Sequence, residues 1–133
     1  MKGLNSYHKK KLLDSKFYKL DLEFNKCKNE IYFASYLATL GNYDAIDIAF
    51  DLELLLKVKE AIKNSHRKLK DELNISQNYP LIFVSFETSI FSKLINEDLK
   101  SSINTLNDFD IDILELHIDY FETDLFIGQI NII

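Results

Sequence analysis

Residues 45–73, AIDIAFDLELLLKVKEAIKNSHRKLKDEL, combine two different hydrophobic periods. Ile46 and Ile48 alternate with Asp47, which predicts a strand whose acidic side chain points outward. From Asp51 onward, apolar side chains recur at three- and four-residue steps, as is typical of a helix with one apolar face. We therefore predict a strand that leads into a long helix, with Asp51 or Glu53 near the helix N-terminus, where an acid suits the dipole.

The other elements are predicted by the same criteria. Alternation of apolar and charged residues predicts strands at residues 16–24 and 111–121. Compact apolar runs predict two more strands, at residues 81–86 and 125–132. An apolar stripe at helical spacing predicts a second helix at about residues 88–104.

Residues 31–40 are ambiguous, because nearly all of them are apolar or aromatic. A buried strand and a buried helix both fit such a run, and periodicity does not separate the two. Gly41 and Asn42 follow directly and suit a two-residue hairpin turn, which favours a strand.

These elements predict the order βββαβαββ within a single domain, residues 1–133, whose first 15 residues form a polar, basic lead-in that is loose or helical. Two helices with one apolar face each fit on one face of a sheet. We therefore predict an α+β fold, with a mostly antiparallel sheet of about six strands and both helices on one face. Residues 81–86, flanked by helices, can join a parallel pair locally.

The composition excludes several classes of protein. The chain has 133 residues, a net charge of −5 and 47% hydrophobic residues, which fits one globular domain. Its apolar runs are too short to span a bilayer, so we expect no membrane association. Cys27 alone cannot form an internal disulfide or a zinc site, and no apolar stretch follows the N-terminal lysines. We therefore expect a cytoplasmic protein.

Acidic residues are concentrated in the last third of the sequence. Residues 97–124 contain nine acids and one lysine, a net charge of −8, whereas residues 1–30 contain eight lysines and four acids. A row of like charges on one strand repels itself and adds nothing to stability, so we expect this surface to bind a basic partner. The predicted contacts are Asp108, Asp110, Asp112, Glu115, Asp119, Glu122 and Asp124, with Tyr120 or Phe121 as an aromatic anchor.

A calcium loop is a weaker interpretation of the same acids. Asp108, Asp110 and Asp112 have the spacing of calcium ligands, but the loop also needs a glycine and a glutamate at fixed positions. Ile113 and Asp119 occupy those positions. The commoner explanation is a solvated acidic strand face.

No motif predicts a catalytic residue, a metal ion or a cofactor. The histidines, His8, His66 and His117, do not have metal-ligand spacing. Arg67 is the single arginine, which argues against direct nucleic-acid binding. An Mg²⁺-dependent nuclease would have to use the acids of a second group, although capping a helix is the commoner role for one of them, Asp51. That group is Asp44, Asp47, Asp51 and Glu53.

The sequence therefore predicts a small acidic binding protein rather than an enzyme. Our first hypothesis is an immunity protein or antitoxin that neutralises a basic nuclease toxin, because acidic side chains steer such pairs together and can replace substrate phosphates. Two alternatives remain open: a phage-type DNA mimic that uses the same acids, and the small Mg²⁺-dependent nuclease.

Overall fold

A computed structural model describes residues 4–87, 108 and 110–117. In this part of the chain the four strands form one sheet in the order β1-β2-β3-β4, and each strand is parallel to its neighbour. The elements are α1 Ser6–Leu12, β1 Lys19–Leu22, α2 Lys28–Leu40, β2 Ala45–Ala49, α3 Leu52–Leu73, β3 Leu81–Glu87 and β4 Ile113–His117.

The arrangement is α/β, so the predicted α+β fold with a mostly antiparallel six-stranded sheet is wrong. The cause is a helix between β1 and β2 where the sequence favoured a strand. A helical crossover returns the chain to the edge where the previous strand began, so β1 and β2 run in the same direction. A second crossover, α3, repeats this step between β2 and β3.

Residues 31–40 belong to α2, and the predicted hairpin does not form. The buried side chains recur at helical spacing, with Ile31, Ser35 and Ala38 facing inward while Phe33 and Leu37 remain more than 60% exposed. A strand would instead have placed Ile31 and Phe33 on the same face. The Gly41-Asn42 pair ends the helix, and Asn42 takes the left-handed conformation (φ 59°).

Both faces of the sheet are covered, at least in part. On the first face, Ile46, Ile48 and Val84 form one core with side chains of α2 and α3. On the second face, Phe83 belongs to a smaller cluster that includes Leu12 of α1. Strands that are covered on two sides have no outward face. Asp47, which we predicted to point outward to solvent, is accordingly 1% exposed.

Other predicted elements agree with the described part of the chain. The structure confirms the helix that begins after Asp51 and ends at Leu73, and it confirms the strand that begins at Leu81. The strand predicted at residues 16–24 is confirmed as the shorter β1, and β4 lies within the strand predicted at 111–121, of which residues 118–121 are outside the described part of the chain. The helix predicted at residues 88–104 and the strand predicted at 125–132 lie outside the described residues.

The basic lead-in, residues 1–15, contains the short helix α1. Leu4 and Leu12 pack against Ala45 and Leu81 at the second face, so this segment contributes to the core. Among the described residues, no helix is both long and apolar enough to cross a membrane.

Asp51 caps α3 as the sequence predicted, since its carboxylate accepts hydrogen bonds from the backbone N–H groups of Glu53 and Leu54 at 2.9 and 3.1 Å. We expect Asp51→Ala to lower the free energy of unfolding by about 1 kcal/mol, because two helix N–H groups lose their acceptor. Asp51→Asn keeps an acceptor oxygen and serves as the matched control, with little expected loss. Urea unfolding followed by circular dichroism measures both, and equal losses would contradict the capping role.

Candidate functional site

Four side chains, one from each strand, meet on the second face of the sheet. Lys19 of β1 donates hydrogen bonds to Asp47 of β2 at 2.9 Å and to Glu115 of β4 at 2.7 Å. Ser85 of β3 donates to the other carboxylate oxygen of Asp47 at 2.7 Å. We call this group the Lys19 network. Because consecutive strands are in parallel register, one polar residue per strand is sufficient to connect the whole sheet.

The Lys19 ammonium is held in its charged form. Its nitrogen lies 4.9 Å from the centre of the Phe83 ring, in a position where an aromatic face attracts a cation. Partial burial acts to lower the pKa of Lys19, but the hydrogen bonds and charges of Glu115 and Asp47 outweigh it and raise the pKa above its ordinary value. A lysine in this state is neither a general base nor a nucleophile near neutral pH.

Two further carboxylates adjoin the Lys19 network. The carboxylate oxygens of Asp21, Glu23 and Asp47 lie within 4.8 Å of one another. The register explains the proximity, since Asp21 is paired with Asp47 and Glu23 follows at the end of β1. The Lys19 ammonium contacts Asp47 and Glu115, and Asp21 and Glu23 adjoin Asp47, so the carboxylates of this group outnumber its ammonium.

A group of carboxylates suits a hard cation such as Mg²⁺ if their oxygens are available to coordinate it. The two oxygens of Asp47 already accept hydrogen bonds from Lys19 and Ser85. The Lys19 ammonium therefore supplies the positive charge that a metal ion would bring, and a cation at Asp47 would have to compete with it. The geometry favours a fixed acidic surface over a metal centre.

The nuclease group proposed from sequence is not brought together. Asp44 accepts a hydrogen bond from the backbone N–H of Tyr18 at 2.8 Å and lies 3.6 Å from the Lys11 ammonium. Asp51 caps α3, and Glu53 forms an ion pair with a lysine of α2. These acids each satisfy a local structural need, and only Asp47 belongs to the Lys19 network.

The predicted partner surface divides into three parts. Asp108 and Asp110 are exposed, and they precede β4 at the edge of the sheet where the strands begin. Asp112 and Glu115 are half-buried: Asp112 accepts a hydrogen bond from Ile82 of the adjacent strand β3, and Glu115 accepts one from Lys19 of β1. The remaining predicted contacts lie outside the described residues: Asp119, Tyr120, Phe121, Glu122 and Asp124.

Asp112 brackets the start of β3 with two hydrogen bonds. Its carboxylate accepts from the backbone N–H of Ile82 at 2.8 Å, and its own backbone N–H donates to the Ile82 carbonyl at 3.0 Å. Burial raises the pKa of Asp112 above its ordinary value, although the Ile82 hydrogen bond acts in the opposite direction. This acid therefore aligns β4 with β3.

The carboxyl edge of the sheet, where β1 and β2 end, presents the accessible acids. Asp21 is exposed, and Phe24 follows β1 with 83% of its side chain in solvent. A groove at this turn is lined by both residues and by Leu22, Asn25, Lys26 and Cys27. In α/β sheets, ligands and partners commonly bind at the carboxyl ends of the strands.

Sequence reasoning missed the part played by Lys19, Asp21, Glu23 and Ser85. A signal was present, since a polar residue interrupts an otherwise apolar strand at positions 47 and 85. These polar residues indicate a shared site only if the strands are parallel, because only then do the two positions lie close together on adjacent strands.

Comparisons with protein-family models, curated proteins and solved structures find no match to this chain, so the functional argument rests on its own residues.

We expect Lys19→Met to lower the free energy of unfolding by about 3 kcal/mol, because it leaves the buried Asp47 carboxylate without its counter-charge. Lys16→Met is the matched control, since Lys16 is exposed and its loss should change stability by less than about 0.5 kcal/mol. Equilibrium urea unfolding measures the difference. Equal effects of the two substitutions would show that the Lys19 network does not hold the sheet together.

The raised pKa of Asp112 predicts a pH-dependent comparison of two variants. An acid whose pKa is raised by folding destabilises the native state when ionised, and protonation relieves that cost as the pH falls through the raised value. Asp112→Asn keeps an acceptor for Ile82 without the charge. We therefore expect it to be at least as stable as the unmodified chain at pH 7, with an advantage that shrinks as the pH is lowered.

Asp112→Ala removes the acceptor at every pH, so it should cost about 1–3 kcal/mol throughout the range. Urea unfolding between pH 3 and 8 distinguishes the two variants. An advantage of Asp112→Asn that grows on acidification would contradict the assigned direction of the shift.

Proposed function

We propose that this chain is a binding protein that neutralises a basic protein partner through the carboxyl edge of its sheet. The observation that carries the proposal is the cluster of Asp21, Glu23 and Asp47, in which one oxygen of each carboxylate lies within 4.8 Å of the others and Asp47 is paired with Lys19. Close carboxylates repel one another, so such an arrangement does not favour folding by itself. A cationic partner would relieve the repulsion.

The charge at this edge also supports rapid association. Asp51 caps the start of α3, which follows the end of β2, so it adds a carboxylate at this end of the sheet, whereas Glu53 is paired with Lys28. A surface of one sign raises the rate at which an oppositely charged protein is captured. The effect weakens with salt, because exposed charges are screened over about 10 Å at 0.1 M ionic strength.

An aromatic anchor lies within the same surface. Phe24 is 83% exposed and lines the groove together with Asp21. Large aromatic side chains at the centre of an interface often dominate its binding energy, while surrounding charges select the partner and its orientation. The sequence assigned this role to Tyr120 or Phe121, which lie outside the described residues, and Phe24 is the candidate that the described part offers.

The partner we propose is a nuclease toxin, which makes the chain an immunity protein or antitoxin. A nuclease presents cationic side chains to bind phosphates, and fixed carboxylates can occupy those positions. The exposed thiol of Cys27 fits the reducing compartment in which such an inhibitor would act, the cytoplasm. The exposed Asp108 and Asp110, with the acids that follow β4, remain candidates for a second group of contacts.

The DNA-mimic alternative uses the same charges against a DNA-binding enzyme, so identification of the partner separates it from the toxin hypothesis. The Mg²⁺-dependent nuclease predicts hydrolysis instead of binding. The involvement of both Asp47 oxygens with Lys19 and Ser85 supports the binding role over the nuclease.

The proposal is tested with the products of the genes that adjoin the gene for this chain, each purified and mixed with it in stopped-flow experiments. We expect one basic product to bind and to lose its activity. Asp21→Asn with Glu23→Gln should slow association about tenfold at low salt and flatten its salt dependence, because steering charges are removed. Phe24→Ala should instead accelerate dissociation.

Matched controls keep the test specific to this edge. Glu72→Gln removes an exposed charge near the end of α3, and Phe33→Ala removes an aromatic ring that is 63% exposed on α2. We expect neither to change the rates by more than about twofold. The proposal fails if the controls weaken binding as much as the edge variants, or if no basic product binds.

A further inference from the structure

A second concave surface lies at the opposite edge of the sheet, where α3 ends and β3 begins. The groove has a volume of about 600 Å³ and is bounded by the last turns of α3 and by the segment that follows it, residues 74–79. Small-molecule sites typically have volumes of about 300–1,000 Å³. The lining residues that matter here are Lys63, His66, Arg67, Lys70, Gln77 and Tyr79.

The cations of this groove differ from the other cations of the same helix. Lys57 and Lys68 each lie 3.0 Å from a glutamate of α3. Within the described part of the chain, Lys63, Arg67 and Lys70 form no ion pair, and all three line the groove. These three positive charges on successive turns repel one another, and Asp71 offsets only one of them, so an anion in the groove would be attracted by the remaining charge.

Polar atoms without partners lie beside these cations. The Nε2 atom of His66 and the side-chain oxygen of Gln77 are shielded from solvent and have no hydrogen-bond partner among the described residues. Buried polar atoms of this kind cost free energy unless a water or ligand satisfies them. The opposite wall is held in place, because the Tyr79 ring packs 3.9 Å from the His66 ring and the Tyr79 carbonyl contacts the His8 ring at 2.9 Å.

We propose that this groove binds a small phosphate-bearing ligand. The Arg67 guanidinium can donate two parallel hydrogen bonds to a phosphoryl group, while the ammonium groups of Lys63 and Lys70 balance its remaining charge. Asp71 is the acid among the described lining residues, and it leaves the groove with a net positive charge.

The size and charge of the molecule favour a small ligand over a nucleic acid. The whole chain has a net charge of −5, which repels a long polyanion that extends beyond the groove. A small ligand lies within the groove, where local cations dominate because charges farther than about 10 Å are screened at moderate salt. This site is independent of the acidic carboxyl edge, so each proposal can fail without the other.

The test is isothermal titration calorimetry of the full chain with sodium pyrophosphate at pH 7 and low salt. We expect a dissociation constant of about 1 mM or lower. Arg67→Gln should raise it at least about tenfold, because the bidentate donor is lost. Lys68→Gln, on the same helix but paired with Glu72 and outside the groove lining, is the matched control and should change it by less than about twofold.

A structural readout accompanies the affinities. Addition of pyrophosphate should shift the ring resonances of His66 in the NMR spectrum, and Arg67→Gln should abolish that shift while leaving the circular dichroism spectrum unchanged. The proposal is overturned if no binding is detected up to about 10 mM pyrophosphate. Equal weakening by Lys68→Gln and Arg67→Gln would also overturn it, because it would show general attraction to positive charge.

Discussion

One partly buried ammonium group, that of Lys19, connects the strands of the described sheet. Lys19 contacts Asp47 and Glu115, and Ser85 completes the hydrogen bonding of Asp47, so side chains of all four described strands share a single electrostatic unit. Without Lys19, the Asp47 carboxylate would remain in the sheet at 1% exposure with only a hydroxyl donor. The first face is held by apolar packing, whereas the carboxyl half of the second face is held by this charge arrangement.

The same arrangement produces the candidate binding surface. Asp21 and Glu23 lie beside Asp47 because the strands are parallel and in register, and a lysine between two carboxylates neutralises only part of the charge. The structural role of this group and its proposed binding role therefore overlap at the carboxyl edge. The amino edge is organised differently. There the carboxylates of Asp44 and Asp112 accept hydrogen bonds from the backbone N–H groups of Tyr18 and Ile82, so they serve the fold itself.

Local patterns in the sequence predicted α3 and its cap at Asp51 correctly, because both depend on neighbouring residues. The direction of the strands could not be predicted in the same way. The strand direction depends on residues 31–40, where an apolar run fits a strand or a helix equally well. Because a strand was assigned there, neighbouring strands were predicted to be antiparallel, whereas they are parallel. The same wrong strand assignment affected the prediction for Asp47. In a sheet with helices on one face only, Asp47 would face solvent, but the second face is also covered and Asp47 is buried.

The strand order of the sheet has a consequence for synthesis of the chain. Each described strand pairs with the strand that precedes it in the sequence, so β1, β2 and β3 can assemble in the order in which a ribosome releases them. Lys19 meets Asp47 after 28 residues, but its contact with Glu115 spans 96 residues. The long-range ion pair therefore forms only after β1, β2 and β3 have been synthesised, and it joins the last of the four described strands to the first.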